Sequence, residues 1–268
     1  MSVLSGIFGY KKSSITVDEL KKALKKGEFV FYYQPEWDLK TNRIIGVEAL
    51  MRWESSKRGC VSPMQFIPLL EKSGAIHDFT HFLFEQTLSD LAELHQIQPD
   101  LFVAVNLSIS QLQEPKLVEV IQKNLMAHKI DPKYLECELS ESQELTEEIL
   151  ALGVLPQLSQ QGVSISIDDF GTGYSSFVRL EQVKIQKLKI DLCFIRKLLE
   201  DAKNQAIVSS MINLGHDLGF PVLAEGIETT AQQKWLRDHG CDYGQGYWFS
   251  RALPLAQLKV FLTENTKK

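Results

Sequence analysis

Eight short apolar segments recur along the chain, separated by helix-patterned sequence, and this alternation limits the possible fold more than any other feature. Segments 29–34, 45–51, 102–107, 135–139, 163–167, 185–190 and 222–224 are rich in Val, Ile, Leu or aromatic residues, with a shorter one near 243–247. Apolar runs of this length predict strands buried on both faces, as in a parallel sheet. Helices are predicted over 63–72, 79–95, 115–128, 147–161, 202–218 and 230–239. Thr16 with Glu19 predicts a capping box at the start of a first helix running to Lys25, and Ser62, Pro63 and Gln65 predict a second. Strand and helix alternate without a linker, a composition shift or an internal repeat, which predicts one α/β domain over 16–268 behind a flexible leader, 1–15. Eight strands favour a closed barrel over an open sheet.

Polar residues fall where such a barrel would use them. Glu48 and Arg52 lie in or just after the second segment, Asn106 ends the third, Glu138 the fourth, and Asp168 and Asp169 the fifth. Lys189 and Asp191 end the sixth, Glu225 and Glu228 follow the seventh, and Gln245 lies in the last. In an α/β barrel the strand ends converge on one face, so these residues would line one mouth. Carboxylates gathered so closely repel unless cations offset them, and carboxylate with amide oxygens suits Mg²⁺ or Mn²⁺. Taken singly, each residue reads as well as a rim charge or a turn residue. Taken together, independent turns give no reason to place carboxylate, carboxamide and ammonium at successive strand ends. The tract from Asp168 through Gly171, Thr172 and Gly173 to Ser176 is small and flexible, as a mobile loop beside a site would be.

Composition narrows the partners. The 268 residues are 44% hydrophobic and 24% charged with a formal net charge of −5, ordinary values for a globular domain. No broad basic surface is available for duplex nucleic acid, whereas a small anion remains possible where cations gather locally. Cys60, Cys137, Cys193 and Cys241 are widely spaced, with no zinc-ribbon or disulfide pattern, which fits a reducing cytoplasm. No apolar run approaches the length of a membrane span, and the apolar patch 3–10 has its lysines on the wrong side for a secretory signal. The six histidines show no ligand spacing.

Nine ordered motifs resemble the EAL-domain family of cyclic di-GMP phosphodiesterases, over about residues 20–261. They are Tyr33-Gln34-Pro35; Val47-Glu48-Ala49-Leu50-Met51-Arg52-Trp53; Val61-Ser62-Pro63 with Phe66-Ile67-Pro68; Val105-Asn106-Leu107-Ser108; and Glu138-Leu139-Ser140-Glu141-Ser142. The rest are Asp168 to Ser176; Leu188-Lys189-Ile190-Asp191; Ala224-Glu225-Gly226-Ile227-Glu228-Thr229; and Gly244-Gln245-Gly246-Tyr247. The resemblance implies a modified (β/α)₈ TIM barrel with one antiparallel strand, two divalent cations, Mg²⁺ or Mn²⁺, and attack of water on one phosphodiester to give linear pGpG. It further implies that Glu48, Asn106, Glu138 and Asp168 hold one cation and that Asp168, Asp169 and Glu225 hold the second. Lys189 would position or help deprotonate the water, Gln245 would complete the surrounding shell, and Arg52 would contact a phosphate. Gln34, Leu50 and Asp191 would lie near the dinucleotide. Glu141 would tether the loop carrying Gly171, Thr172 and Gly173, and Glu228 would support the site. A homodimer is also implied.

This sequence departs from the family pattern at Glu36-Trp37, where an apolar pair is more usual, and at Ser140, where Thr is common. No Gly-Gly-Asp-Glu-Phe cyclase motif or sensory domain occurs within these residues. Two rival functions stand beside hydrolysis. A receptor would bind cyclic di-GMP without cleaving it. An enolase-like lyase would use Lys187 and Lys189, which strand alternation puts on one face.

Overall fold

The computed structural model describes residues 14–141, 146–173 and 184–265. The leader up to Ser13, Ser142, and Tyr174 to Ser176 of the loop motif lie outside the described residues. The chain opens with helix α1 (Val17–Lys25) and a long hairpin, β1 (Phe29–Asp38) and β2 (Arg43–Ser55). Asp38 makes the hairpin turn: its Oδ1 accepts from the amides of Lys40 and Thr41 at 2.8 and 2.7 Å. The short strand β3 (Gly59–Val61) and helices α2 (Pro63–Ser73) and α3 (Ile76–Leu94) follow. The central run is β4 (Phe102–Asn106), α4 (Ile109–Leu112), α5 (Leu117–His128), β5 (Leu135–Ser140), α6 (Glu147–Ala151), α7 (Val154–Gln160) and β6 (Ser164–Phe170). Next come β7 (Lys187–Ile190), α8 (Leu192–Arg196), α9 (Ala202–Asp217), β8 (Val222–Ala224) and α10 (Thr230–Asp238). The chain then forms β9 (Tyr243–Gly244), β10 (Leu253–Pro254) and α11 (Leu255–Asn265).

Eight strands close into a ring, in the order β1, β2, β4, β5, β6, β7, β8, β9 and back to β1. The steps from β2 to β9 are all parallel, while β1 is antiparallel to both of its ring neighbours. The expected barrel with one reversed strand is therefore the observed fold. The flanking strands β3 and β10 pair with β2 and β1 outside the ring.

Strand alternation sorts the side chains between two environments. Val103 and Val105, Leu135, Cys137 and Leu139, and Ile165 and Ile167 belong to one apolar cluster with Leu83, Phe84, Leu88, Leu117, Ile121 and Leu158 from the surrounding helices. The intervening positions carry Glu136, Glu138, Ser166 and Asp168, all buried among the strands. The polar face of this sheet is thus the inside of the barrel.

Several local expectations change. Thr16 Oγ1 accepts from the amide of Glu19, but the Glu19 carboxylate turns to Arg58 at 2.9 Å, so the capping box at α1 is half formed. Ser62 precedes α2 without any side-chain cap, and the Pro63 start suffices. The helix expected over 147–161 is two helices, because Gly153 adopts φ +67° between α6 and α7. The segment near 243–247 shortens to Tyr243–Gly244 as a strand.

Candidate active site

The parallel strands deliver their carboxyl ends to one mouth of the barrel, and there the acidic residues surround one ammonium. Lys189 Nζ lies 2.9 Å from Glu138 Oε1, 2.9 Å from Glu225 Oε1, 3.5 Å from Asp168 Oδ1 and 3.7 Å from Glu48 Oε2. The Lys189 side chain is 0% exposed. Burial alone would push its pKa down, but Asp168, Glu138, Glu225 and Glu48 hold it well above the ordinary lysine range. Lys189 is therefore a fixed positive charge in this arrangement.

Glu48 is gripped from both sides. Asn106 Nδ2 donates to its Oε1 at 2.8 Å and Gln245 Nε2 to its Oε2 at 2.7 Å. Despite burial, Lys189 and these two amides keep the Glu48 carboxyl below its usual range. Glu138 goes the other way: burial dominates over Lys189, and Glu48 and Asp168 push its pKa further up. Glu225 is likewise raised by burial, against Lys189 and with Asp168, to about 8.

Asp169 occupies a strained corner. Its φ of +58° lies in the left-handed region, beside the register shift between β6 and β7, a conformation that costs a non-glycine residue about 1–3 kcal/mol and tends to occur at functional sites. The side chain accepts from Ser140 Oγ at 3.0 Å, while its own amide donates to Asp168 Oδ1 at 2.9 Å. Just beyond it, Glu141 Oε2 accepts from the amides of Gly171, Thr172 and Gly173 at 2.6, 3.0 and 3.1 Å. Gly171 has φ +97°, and a Cβ there would stand 2.3 Å from Met211 Cε, so the turn needs glycine. Glu141 thus binds the first described residues of this loop, Gly171 to Gly173.

The donor set fits divalent cations. Asp168, Asp169 and Glu225 each offer an oxygen, all within 4.8 Å of one another. Glu138 Oε2 and Gln245 Oε1 are buried without a hydrogen-bond donor, and Glu138 Oε1 has only its ion-pair contact with Lys189. Around the single ammonium stand five carboxylates, those of Glu48, Glu138, Asp168, Asp169 and Glu225. Two divalent ions would bring this group to formal neutrality, and oxygen-only donors suit hard cations.

A cavity of about 260 Å³ opens over the centre, with Gln34, Glu48, Leu50, Asp168, Glu225, Glu228 and Gln245 among its lining residues. Gln34 Nε2 donates to the Ser250 carbonyl at 3.3 Å. Asn106 and Leu50 also line an adjacent apolar cavity of about 250 Å³ between the barrel and α2, α3 and α4. Two expected contacts lie outside both linings. Arg52 donates to the Met51 carbonyl at 2.9 Å and lies over the Tyr32 ring, and Asp191 caps α8 by accepting from the Cys193 amide at 2.9 Å. The two-lysine base of a lyase does not form. Lys187 is buried below Lys189 and bound by Glu36 and Glu136, each at 2.7 Å.

Fold and donor set together define an α/β barrel with an acidic, cation-competent centre at its mouth. The chain belongs to the EAL domain family, whose profile matches residues 17–252. It is 39% identical over 241 residues to MucR of Pseudomonas aeruginosa, a bifunctional diguanylate cyclase/cyclic di-GMP phosphodiesterase, covering 90% of this chain and 35% of MucR. It is 35% identical over 246 residues to the cyclic di-GMP phosphodiesterase NbdA of the same organism, covering 91% of this chain and 31% of NbdA. The solved structure of the PaMucR phosphodiesterase in complex with c-di-GMP superposes with a TM-score of 0.85 at 39% identity, covering 90% of this chain and 98% of that one. The chain spans about a third of the length of these curated relatives. No helix among the described residues is long and apolar enough to cross a membrane.

One further ionic group lies at the site's base, where Glu136 joins Glu36 and Lys187 in a charged layer below the named residues. The signal for it was the period of two, since Glu136 and Lys187 stand two positions before Glu138 and Lys189.

Proposed function

We propose that this domain hydrolyses one phosphodiester bond of cyclic di-GMP to linear 5′-pGpG with two divalent cations, Mg²⁺ or Mn²⁺. The observation that carries the proposal is the grouping of five carboxylates, two carboxamides and Lys189 at one barrel mouth, with each expected cation-ligand position and the lysine present. Glu48, Asn106, Glu138 and Asp168 would hold one cation, and Asp168, Asp169 and Glu225 the second. Bound there, the cations would lower the pKa of a water molecule and offset charge on the phosphoryl oxygens.

The chain's own groups do the remaining work. The Lys189 ammonium, fixed by its acidic neighbours, donates a hydrogen bond that orients the attacking water and adds positive charge where negative charge grows. It would position the water or help to take its proton. Asn106 and Gln245 keep Glu48 facing the centre. Gln245 Oε1 is a buried acceptor available to water. Gln34 and Leu50 hold the dinucleotide against the cavity wall. Arg52 reaches a phosphate by leaving the Met51 carbonyl, and Asp191 and Glu228 support the rim. Glu141 fixes the loop that sets Asp169.

A reducing cytoplasm accords with four free cysteines, and a homodimer formed near the loop belongs to the same proposal. The deciding experiment incubates the purified protein with cyclic di-GMP and Mg²⁺ or Mn²⁺ and follows pGpG by chromatography. Accumulating pGpG supports hydrolysis. Tight binding without linear product over hours would instead establish the receptor function.

A further inference from the structure

Beneath the centre the barrel holds a second ionic layer, built by the directions of its strands. On β5 and β7, which run towards the mouth, the residue one inward step deeper is the earlier one: Glu136 below Glu138 and Lys187 below Lys189. On β1, which runs the other way, it is the later one, Glu36 below Gln34. The three meet: Lys187 Nζ lies 2.7 Å from Glu36 Oε2 and 2.7 Å from Glu136 Oε1. Glu36 is 0% exposed, Lys187 3% and Glu136 6%.

The floor under this layer is closed. The Phe102 ring lies 4.8 Å from Lys187 Nζ. It has room because Gly46, its register partner on β2, carries no side chain; a Cβ there would stand 2.3 Å from the ring.

Buried ions are costly, and apolar side chains of similar volume would fill such a floor at least as well. What they could not do is apportion charge between the two layers. Oxygens of Glu36, Glu136 and Glu138 lie within 4.8 Å of one another, and Glu138 Oε1 is also 2.9 Å from Lys189. Glu138 therefore belongs to both layers. Two lysines two residues apart on a strand have backbones only about 6.6 Å apart, so Lys189 could be drawn down towards unpaired acids below it.

We propose that Glu36, Lys187 and Glu136 are positioning residues for the hydrolysis proposed above: Lys187 engages both lower carboxylates, so that Lys189 and Glu138 stay at the height of the cation centre. The inference rests on that reading of the site and concerns residues that touch neither substrate nor cation.

The test measures Mn²⁺ affinity by titration calorimetry and kcat and KM on cyclic di-GMP for the wild type, K187M, K187R and the apolar triple variant E36L/E136L/K187M. The triple variant leaves no buried charge unpaired, so a merely structural layer predicts wild-type behaviour from it. The expected result is a triple variant with the wild-type melting temperature, Mn²⁺ affinity weakened about tenfold or more, and a comparable fall in kcat with KM little changed. K187M should lose affinity in the same direction, with partial recovery in K187R. A folded triple variant with Mn²⁺ affinity within twofold of wild type and unchanged kcat overturns the proposal. If the triple variant does not fold, unchanged Mn²⁺ affinity in K187M, read where circular dichroism shows it folded, overturns it equally. A wild type that binds no Mn²⁺ removes the function proposed above, and this inference with it.

Discussion

Gln245 Nε2 donates to Glu48 Oε2 across 2.7 Å, although 197 positions of chain separate the two residues. Asn106 holds the other oxygen of the same carboxylate at 2.8 Å. One carboxylate on the second strand is thus oriented by amides from the end of the fourth strand and from just past the ninth, and its direction depends on the whole ring being closed.

Glu48→Ala removes a proposed cation ligand together with the anchor of both amides. Turnover of cyclic di-GMP should fall by well over tenfold, a loss above about 1.4 kcal/mol of barrier. Retention of more than a tenth of wild-type turnover in a steady-state assay would contradict direct ligation.

Lys189→Ala leaves four carboxylates without their shared ammonium. Substrate binding should persist while kcat drops by about a hundredfold or more. Equilibrium binding and single-turnover assays separate the two effects, and unchanged kcat would exclude Lys189 from the chemistry.

The Glu225 carboxyl, raised from its ordinary 4.5 to about 8 by burial and by Asp168, gives the pH dependence its sign. A carboxyl with a raised folded pKa favours the fold most below its unfolded pKa, and this contribution is lost as pH climbs through the folded value. Cation-free protein should therefore lose thermal stability between about pH 4.5 and about pH 8. Cation binding should expel the proton, so that Mn²⁺ affinity rises with pH and levels off above about 8. Calorimetry in two buffers of different ionisation enthalpy measures the release. Affinity independent of pH across this range would count against Glu225 as a ligand.

Glu141→Gln weakens three amide contacts at the start of the loop. Because Asp169 is set by the same turn, cation affinity should fall about tenfold. Amide hydrogen exchange at Gly171, Thr172 and Gly173 should quicken. Unaltered exchange would show that the loop is held by other contacts.

Much of the site was legible because the strands are short and mostly point one way. Once 102–106, 135–140 and 187–190 are read as parallel strands, Asn106, Glu138 and Lys189 fall at one end without further information. The reversed β1 breaks that rule. Glu36 stands after Gln34 in sequence yet deeper in the barrel, so its partnership with Lys187 cannot be read by counting strand ends. The divided helix was signalled by Gly153 and by Pro156, which is tolerated in the first turn of α7. The C-terminal helix α11 goes beyond the predicted helices, although Leu255, Leu258 and Leu262 recur at helical spacing after Pro254. The turn of Arg52 towards Tyr32 had no sequence signal, because a long flexible side chain takes its direction from its neighbours.

The ring's seam has a consequence for how the protein matures. β1 is among the first strands made, but one of its edges must wait for β9, and contacts between such distant segments form late and slowly. Until they do, Gln245 cannot reach Glu48, and a half-built barrel would offer cations only scattered oxygens. Uptake of Mn²⁺ during refolding should consequently lag behind the gain of helical signal, making the ion a reporter of the final closure and not a template for it.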